Sequence, residues 1–325
     1  MGLLKAGLIV MPELRVPFVI DDEGRLYSPA TAEKTGNYAC PACREPVIFK
    51  HGKVKIPHFA HKATVTCNQE TVTHKIAKML IQNAVRDWKL GKGKQPIIQR
   101  ACQVCGVSIN QPLPEKVDGA VLEFRLTDGS IVDVALTVRE IAQAAVEIKV
   151  THAVDEIKIL RLSLPFIELN GDEVIRNPLV WKPIADKFKP LTCDNCKAAY
   201  VKFQAKAEQV AKVCGIELPT AYYRHGLCTC WKCKREIIVF AWPKNGIHDD
   251  SPPKIKPVPK TVQYRYSNTL NGKYWVNTCP YCQSIQGDFF LHRESDGPFF
   301  AVNIEEDYPT EFRKDMLKIA AHALL

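Results

Sequence analysis

Hydrophobic residues recur at three- and four-residue steps from residue 68 to about residue 90. Val72, Ile76 and Val85 belong to this run, and Gly91 follows it. The period is that of one face of an α-helix, and glycine is common just after a helix C-terminus. The pattern therefore predicts a helix over residues 68–90.

A strand-like pattern lies between residues 121 and 169. Short and mostly apolar runs are separated by polar turns, and Asp128-Gly129 is a typical hairpin turn between the first two. The predicted strands are 121–126, 131–136, 144–150 and 166–169, with a helix from 155 to about 162 before the last one. Runs of this kind indicate a central sheet that is covered on both faces. With the helix over 68–90, the predicted order is α-β-β-β-α-β.

The segments on either side of this core have other patterns. Short apolar runs and turns precede the core and predict a small β module. The Pro/Lys-rich segment 251–260 is expected to be extended and solvated, and a final helix is expected from about residue 310. We therefore predict an α+β or α/β protein with three regions. Their bounds are 1–66, 67–190 and 191–325.

Composition and charge limit the class of protein. The 325 residues are 46% hydrophobic and 24% charged, as in ordinary soluble proteins. The chain has no apolar stretch of about 18 residues, and Pro12 and Glu13 interrupt the apolar start too early for a secretory signal. These features predict a cytoplasmic protein without a membrane partner. The net charge of +9 is densest over 197–260, which suits phosphate binding and equally suits a solvated basic face.

The thirteen cysteines are spaced for metal binding. Disulfides are rare in a reducing cytosol, whereas a C-x2-C turn places two thiolates on one tetrahedral metal ion. Ten of the cysteines form such pairs, namely Cys40/Cys43, Cys102/Cys105, Cys193/Cys196, Cys230/Cys233 and Cys279/Cys282. With two histidines, at four ligands an ion, they predict about three structural Zn²⁺ ions.

The order of these pairs suggests how they combine. The first pair lies a hairpin's length before two histidines, which favours a site formed by Cys40, Cys43, His58 and His61. The last two pairs are each followed by a strand and predict a zinc ribbon within 191–325, with Cys228 as a rival ligand of Cys230. Cys67 is expected to be a buried thiol.

Two pairings of the remaining cysteines stay open. Cys102/Cys105 and Cys193/Cys196 flank the core and can share one four-thiolate site. The competing set is Cys193, Cys196, Cys214 and Cys228.

Acidic residues interrupt two of the predicted strands. Asp133 and Glu147 lie within hydrophobic runs, where a charge costs several kcal/mol unless it is paired or bound to a cation. Lys149 lies two residues after Glu147 and so points to the same face. Two carboxylates on neighbouring strands can hold a Mg²⁺ or Mn²⁺ ion for phosphodiester hydrolysis, and the lysine can orient water or phosphate.

One face of the predicted helix is polar. Glu70, His74 and Lys78 stand four residues apart and so lie on one side. A solvated ladder of polar residues explains this face if the helix stands alone. Facing the acidic strands, Glu70 would instead supply a third carboxylate near the metal.

In this order, these residues resemble the competence protein CoiA-like family of the PD-(D/E)xK nuclease superfamily. The matching segments are 40–43, 57–62, 70–78, 132–134 and 147–152. The resemblance covers roughly residues 20–170 and implies a restriction-endonuclease-like core with a mixed central sheet between zinc-binding β modules. Many relatives are expected to have Gln in place of Lys149 and an arginine near Asp133, which this sequence lacks.

The resemblance also implies residue roles. It implies a DNA-cutting enzyme with Glu70, Asp133, Glu147 and Lys149 as catalytic residues, of which Asp133 and Glu147 bind Mg²⁺. His74, Lys78, His152 and Lys158 are candidate supporting residues. His152 and Lys158 bracket the start of the second core helix and can contact phosphate or Glu70, whereas a cap or packing role for His152 and an exposed position for Lys158 are the alternatives.

Two classes of function follow. The first is a metal-dependent endonuclease or nickase acting on single- or double-stranded DNA, in transformation, recombination or phage defence. The second is a catalytically inactive nucleic-acid-binding zinc protein that recruits a recombination or defence protein. The complete acidic and lysine set favours the enzyme.

The C-terminal lysines and arginines are interspersed with aromatic residues. Base stacking and packing of a zinc ribbon both explain these, namely Trp231, Trp242, Tyr264, Tyr266, Tyr274 and Trp275.

Overall fold

The chain forms two compact units. The computed structural model describes residues 16–52, 56–61, 67–151, 162, 164–219, 222–300, 302 and 312–323. The first unit comprises the described residues up to Arg100 together with Asn110–Lys189. The second comprises Ala101–Ile109 together with the described residues from Pro190 onward. Both contain helices and strands, which confirms the mixed α and β composition.

Two short hairpins begin the first unit. β1 (Val19–Ile20) pairs with β2 (Leu26–Tyr27), and β3 (Val47–Lys50) pairs with β4 (His58–His61), both antiparallel. Phe59 of β4 is buried in a small apolar cluster to which both hairpins contribute. This packing fixes the face of β4 that points inward.

The helix predicted over 68–90 is present as α1 (Gln69–Lys89). Oδ1 of Asn68 accepts a hydrogen bond from the backbone N–H of Glu70 at 2.8 Å and so caps the N-terminus. The apolar face of α1, with Val72 and Ile76 fully buried, packs into the core of the first unit.

A three-stranded sheet has the order β11-β5-β6. It consists of β5 (Ile97–Ala101), β6 (Ser108–Pro112) and β11 (Val180–Trp181), and β11 runs parallel to β5. The turn between β5 and β6 carries the second cysteine pair.

The main sheet of the first unit has five strands in the order β12-β10-β9-β8-β7. Its members are β7 (Gly119–Arg125), β8 (Ile131–Val138), β9 (Ile141–Lys149), β10 (Phe166–Asn170) and β12 (Pro183–Asp186). β9 and β10 are parallel and the other neighbours antiparallel, so the sheet is mixed. α2 (Gly171–Arg176) follows β10. The helix predicted over 155–162 lies outside the described residues except for Leu162.

The second unit is built around two small sheets and two longer helices. β13 pairs with β14, and a second sheet has the order β15-β16-β17. The bounds are α3 (Asp194–Cys214), β13 (Arg224–Thr229), β14 (Glu236–Ala241), β15 (Val262–Ser267), β16 (Gly272–Thr278), β17 (Ile285–Gln286), α4 (Asp288–His292) and α5 (Phe312–His322). Phe203 of α3, Phe240 of β14 and Met316 of α5 are buried in one core. No helix among the described residues is long and apolar enough to cross a membrane.

Candidate functional site

Three groups of cysteine and histidine side chains are arranged for metal binding. In each group of the described residues, one ligand atom per residue lies within 4.8 Å of all the others. The groups are Cys40, Cys43, His61 and Cys67; Cys102, Cys105, Cys193 and Cys196; and Cys230, Cys233, Cys279 and Cys282. Ligands at about 2.3 Å from a tetrahedral Zn²⁺ lie about 3.8 Å apart. The Sγ–Sγ distances of 3.7 to 4.0 Å fit this geometry, and these cysteines form no disulfides.

The first group differs from its prediction at one ligand. His61 Nε2 lies 3.3 Å from Cys43 Sγ, whereas Nδ1 of His58 lies 2.9 Å from the backbone oxygen of Ile56, outside the group. His58 and His61 are three residues apart on β4, so their side chains point to opposite faces of the strand. Only one of them can reach the cysteine pair.

Cys67 takes the place predicted for His58. Its Sγ lies 3.9 Å from Cys40 Sγ, so the expectation of a buried thiol outside the metal sites is wrong. The signal in the sequence was its position immediately before Asn68, the residue that caps α1. The start of α1 is thereby tied to the knuckle of the N-terminal hairpins.

The second group joins the two cysteine pairs that flank the core in sequence. Cys102 and Cys196 have an Sγ–Sγ distance of 4.0 Å, and Cys105 and Cys193 one of 3.7 Å. The shared four-thiolate site is therefore the arrangement found. Cys214, from the competing set, instead lies with its Sγ 3.4 Å from the Tyr281 hydroxyl.

The third group is the predicted zinc-ribbon set. Cys230 pairs with Cys282 and Cys233 with Cys279, each with an Sγ–Sγ distance of 3.7 Å. The rival Cys228 donates to the Thr229 carbonyl at 3.6 Å and lies outside the group.

The pKa values of the thiols in these groups are shifted in opposite directions. Burial and neighbouring thiols raise the pKa of Cys67 and Cys279 to about 12. Burial also acts to raise the pKa of Cys102 and Cys230, but hydrogen bonds that favour the thiolate outweigh it and lower both to about 6. A cation that attracts all four sulfurs would favour the thiolate throughout each group.

A second candidate site is a row of acidic residues across the main sheet. Glu147 and Glu168 are Cα partners in the parallel ladder of β9 and β10. The register of β8 with β9 reaches the Cα partners Val134 and Val146, and the next position sets Asp133 across from Glu147. On β7 and β8, Leu122 is the Cα partner of Val134 and Phe124 that of Val132. Glu123 and Asp133, between these pairs, therefore lie across from each other. Four neighbouring strands thus each place one carboxylate in the same row.

Asp133 is held from α1 and from β9. Its Oδ2 lies 3.1 Å from His74 Nε2 and accepts from the backbone N–H of Ile148 at 2.8 Å, and its Oδ1 lies 3.5 Å from Lys78 Nζ. Lys78 is buried and also contacts the Glu123 carboxylate. Burial alone would raise the pKa of Asp133, but His74, the Ile148 N–H and Lys78 outweigh it and lower that pKa to about 2.

The strands change face at this acidic pair. On β7, Leu122 packs in the core with α1, whereas Phe124 packs in a separate cluster, and the same change separates Val134 from Val132 on β8. Residues two apart on a regular strand share a face, so the regular alternation is broken here. Glu123, with φ of 51°, supplies the break, because this left-handed conformation is uncommon for residues with a side chain.

β9 keeps its regular alternation, which places Glu147 and Lys149 away from α1. The Cγ2 methyl groups of Ile148, Val150 and Thr73 of α1 all lie close to Gly171. Ile148 and Val150 therefore face α1. The alternate residues of β9 therefore face the other side. The described structure brings Asp133 to α1 and does not bring Glu147 or Lys149 into that contact.

The other predicted residues have varied positions. The Glu70 carboxylate accepts a hydrogen bond from Thr151 Oγ1, just beyond β9. His152 and Lys158 lie outside the described residues. Glu123 was missed as a member of the acidic row, and Glu168 was left out of the site because pairing with a lysine explains it, although both interrupt apolar strand runs in the way that identified Asp133.

The acidic row suits a hard cation by the chemistry of its donors. Carboxylate oxygens are the ligands that Mg²⁺ prefers, and protein sites often supply only one or two of them, with water and substrate phosphate completing the shell. Among the described residues, groups of three or more close ligand atoms occur only in the three cysteine clusters. Asp133 and Glu147 are adjacent in the row but face opposite sides of the sheet, so an ion of the sparser kind shared by both would lie where β8 changes face.

Comparison with known proteins gives one match. Residues 27–70 match the family described as competence protein CoiA, N-terminal domain. This segment contains the knuckle of the first metal group and ends in the first turn of α1. No curated protein and no solved structure matches the chain.

Proposed function

We propose that this protein is a metal-dependent nuclease that cuts DNA phosphodiester bonds in the first unit. The observation that carries the proposal is the row of four carboxylates in the centre of the main sheet. Like charges directly opposite each other in a ladder are destabilising, and buried ones are costly unless a cation offsets them. Both Glu147 and Glu168 are buried, at 1% and 5% exposure. Carboxylate oxygens are the ligands that Mg²⁺ prefers, so this row supports a cation site.

Asp133 and Glu147 would hold a Mg²⁺ or Mn²⁺ ion in this proposal. Bound there, the ion would lower the pKa of a water molecule and offset charge on the scissile phosphate. Asp133 Oδ2 bonds to the N–H of Ile148, which belongs to the peptide that follows Glu147, so this carboxylate lies against β9. His74 and Lys78 position it and keep it ionised.

Lys149 and Glu70 have supporting roles in the proposed reaction. Lys149, two residues after Glu147 on the same face, would orient the attacking water or offset phosphate charge. Glu70, hydrogen-bonded to Thr151, would position the end of β9 where this lysine lies. Three zinc groups would hold the surrounding modules without taking part in the chemistry.

The match over residues 27–70 supports a setting in DNA processing. We therefore propose single- or double-stranded DNA as the substrate, a recombination or defence protein as a partner, and the cytoplasm as the location. The zinc ribbon of the second unit is the proposed element for recruiting a partner.

A catalytically inactive nucleic-acid-binding protein is the second candidate. The observation in its favour is Lys78, whose buried ammonium already contacts both Glu123 and Asp133. An internal cation of this kind can replace a metal ion as the counter-charge of acidic residues. In that case the first unit would bind DNA without cutting it.

Incubation of the purified full chain with supercoiled, linear and single-stranded DNA separates the two candidates. The nuclease converts at least one of these substrates when Mg²⁺ or Mn²⁺ is added, and Glu147→Gln slows the conversion by at least about a hundredfold. Binding to DNA without conversion of any substrate under either ion would support the inactive binding protein instead.

A further inference from the structure

The hairpin of β15 and β16 has an aromatic outer face. Tyr264 is the Cα partner of Trp275, and Tyr266 is the partner of Lys273. Side chains two apart on a strand share a face, so these four lie together on one side of the hairpin. Tyr264 and Tyr266 are 47% and 50% exposed, Lys273 is exposed and Trp275 is half-buried. The ring centroids of Tyr264 and Trp275 are 5.8 Å apart.

Packing of the second unit accounts for Tyr274 and Trp242 but leaves Tyr264 and Tyr266 exposed. Tyr274 and Val276, on the inner side of β16, are buried, and so is Trp242. The inner side of the hairpin therefore packs in the core of the second unit, and on the outer face Trp275 packs partly against the same core. Two exposed tyrosines beside a tryptophan form the kind of apolar patch that marks an interaction surface.

The chain around this face is basic. Residues 251–287 contain five lysines and arginines and no aspartate or glutamate. Lys254, Lys256 and Lys260 are exposed in the segment that enters β15. The Lys260 carbonyl accepts a hydrogen bond from the Gln263 side chain at 3.2 Å, which holds this lysine at the base of the hairpin.

Two acids, Asp249 and the exposed Asp250, directly precede the segment, and Asp249 is already engaged. The Asp249 carboxylate accepts backbone N–H groups of Asn245 and Ser251, each at 2.9 Å. Within residues 251–287, no acidic residue offsets the positive charge around the aromatic face. This complements a polyanion.

We propose that this face, defined by Tyr264, Tyr266, Lys273 and Trp275, binds single-stranded DNA by stacking its bases. Exposed aromatic rings next to lysines on a sheet stack on unpaired bases, while the basic groups contact the phosphates. A duplex keeps its base faces stacked inside and cannot offer them in this way. The proposal deepens the proposed function, on which it rests for the choice of DNA, by assigning single-strand binding to the second unit.

Fluorescence anisotropy with a labelled oligothymidylate of about 15 nucleotides tests this face in the full chain. No divalent cation is added, so cutting does not contribute to the signal. Tyr264→Ala and Tyr266→Ala are each expected to weaken binding about tenfold, from the loss of one stacking ring. Tyr264→Phe, which keeps the ring, is expected to bind as the parent does. Lys273→Gln should weaken binding and reduce its dependence on salt.

Phe300→Ala is the matched control, because Phe300 is a 51% exposed aromatic residue of the same unit outside the hairpin. It is expected to leave the affinity unchanged, and zinc content and thermal midpoint check that each variant is folded. Unchanged affinity in both tyrosine-to-alanine variants, equal weakening in the control, or tighter binding of the matched duplex would overturn the proposal. A parent chain that binds the oligonucleotide but never cuts DNA would leave this face intact and remove only the nuclease.

Discussion

At the scale of single residues, strand geometry decides which histidine can bind metal. His58 and His61 look equivalent in the sequence, yet only His61 shares the inward face of β4 with the buried Phe59. Cys67 completes the group from the residue before the cap of α1. The ligand set is therefore three cysteines and one histidine.

This ligand set predicts opposite outcomes for two neighbouring histidines. His61→Ala should lose about one zinc ion per chain, because the tetrahedral site keeps only three protein ligands. His58→Ala should retain the metal. Metal analysis of the purified variants makes the comparison, with Cys67→Ser expected to follow His61→Ala. Loss of zinc in His58→Ala with retention in Cys67→Ser would restore the two-histidine set.

Asp133 shows how donors outweigh burial at one carboxylate. The folded pKa of about 2 lies below the ordinary value of 3.8, so the ionised group stabilises the fold. This contribution is complete above about pH 4 and is lost as the pH falls through about 2. The shift corresponds to about 2 kcal/mol.

Asp133→Asn should accordingly lower the free energy of unfolding at pH 7 by about 2 kcal/mol. Urea unfolding of the first-unit signal at pH 7 and at pH 5 measures this, and the loss should persist at pH 5 because Asp133 remains ionised there. A variant more stable than the parent at both pH values would contradict this prediction. The free-energy cost of burying the charge would then exceed the stabilisation by His74, Lys78 and the Ile148 N–H.

At the scale of elements, metal ligands fix where α3 begins. Cys193 is the N-cap of α3, and its Sγ accepts from the backbone N–H of Cys196 at 3.4 Å. Both residues belong to the second metal group. Gly215, with φ of 63°, ends the helix, a conformation that glycine adopts without strain.

The two ends of α3 therefore respond differently to the loss of a cysteine. Cys196→Ser should lose about one zinc ion per chain and lower the thermal midpoint of the second unit, since the ion ties this helix to the turn after β5. Cys214→Ser, a matched change at the other end, should keep its zinc and its midpoint. Zinc analysis and thermal unfolding followed by circular dichroism give the answer. Equal zinc loss in the two variants would point to a site that includes Cys214.

At the scale of the whole molecule, the sequence predicted local elements well but predicted poorly which side chains share a face of the sheet. The five cysteine pairs, α1 and the four core strands follow from spacing and periodicity over short distances. The membership of Glu123 and the opposite facing of Glu147 depend on ladder register and on one left-handed residue. Those features arise only when strands distant in the chain are paired. α3 was not predicted, because alanine and lysine positions leave its apolar stripe weak.

The three candidate metal groups are distributed over both units, one in the first and two in the second. The purified chain should therefore contain about three zinc ions, and a strong chelator should lower the stability of both units. Metal analysis before and after chelation, with unfolding followed by circular dichroism, tests this. One zinc ion or none per purified chain would contradict the modular arrangement.

The most direct test of the central claim compares DNA cutting by Asp133→Asn and Asp186→Asn. Asp186 is paired with Arg100 in the first unit and lies on the edge strand β12, three strands from Asp133, so its loss destabilises the same unit without removing a proposed metal ligand. Both variants are assayed with Mg²⁺ or Mn²⁺ below their thermal midpoints, at equal DNA affinity. The proposed site predicts that Asp133→Asn cuts at least about a hundredfold more slowly than the parent, while Asp186→Asn cuts at the parental rate. A folded Asp133→Asn protein that cuts as fast as Asp186→Asn would contradict it.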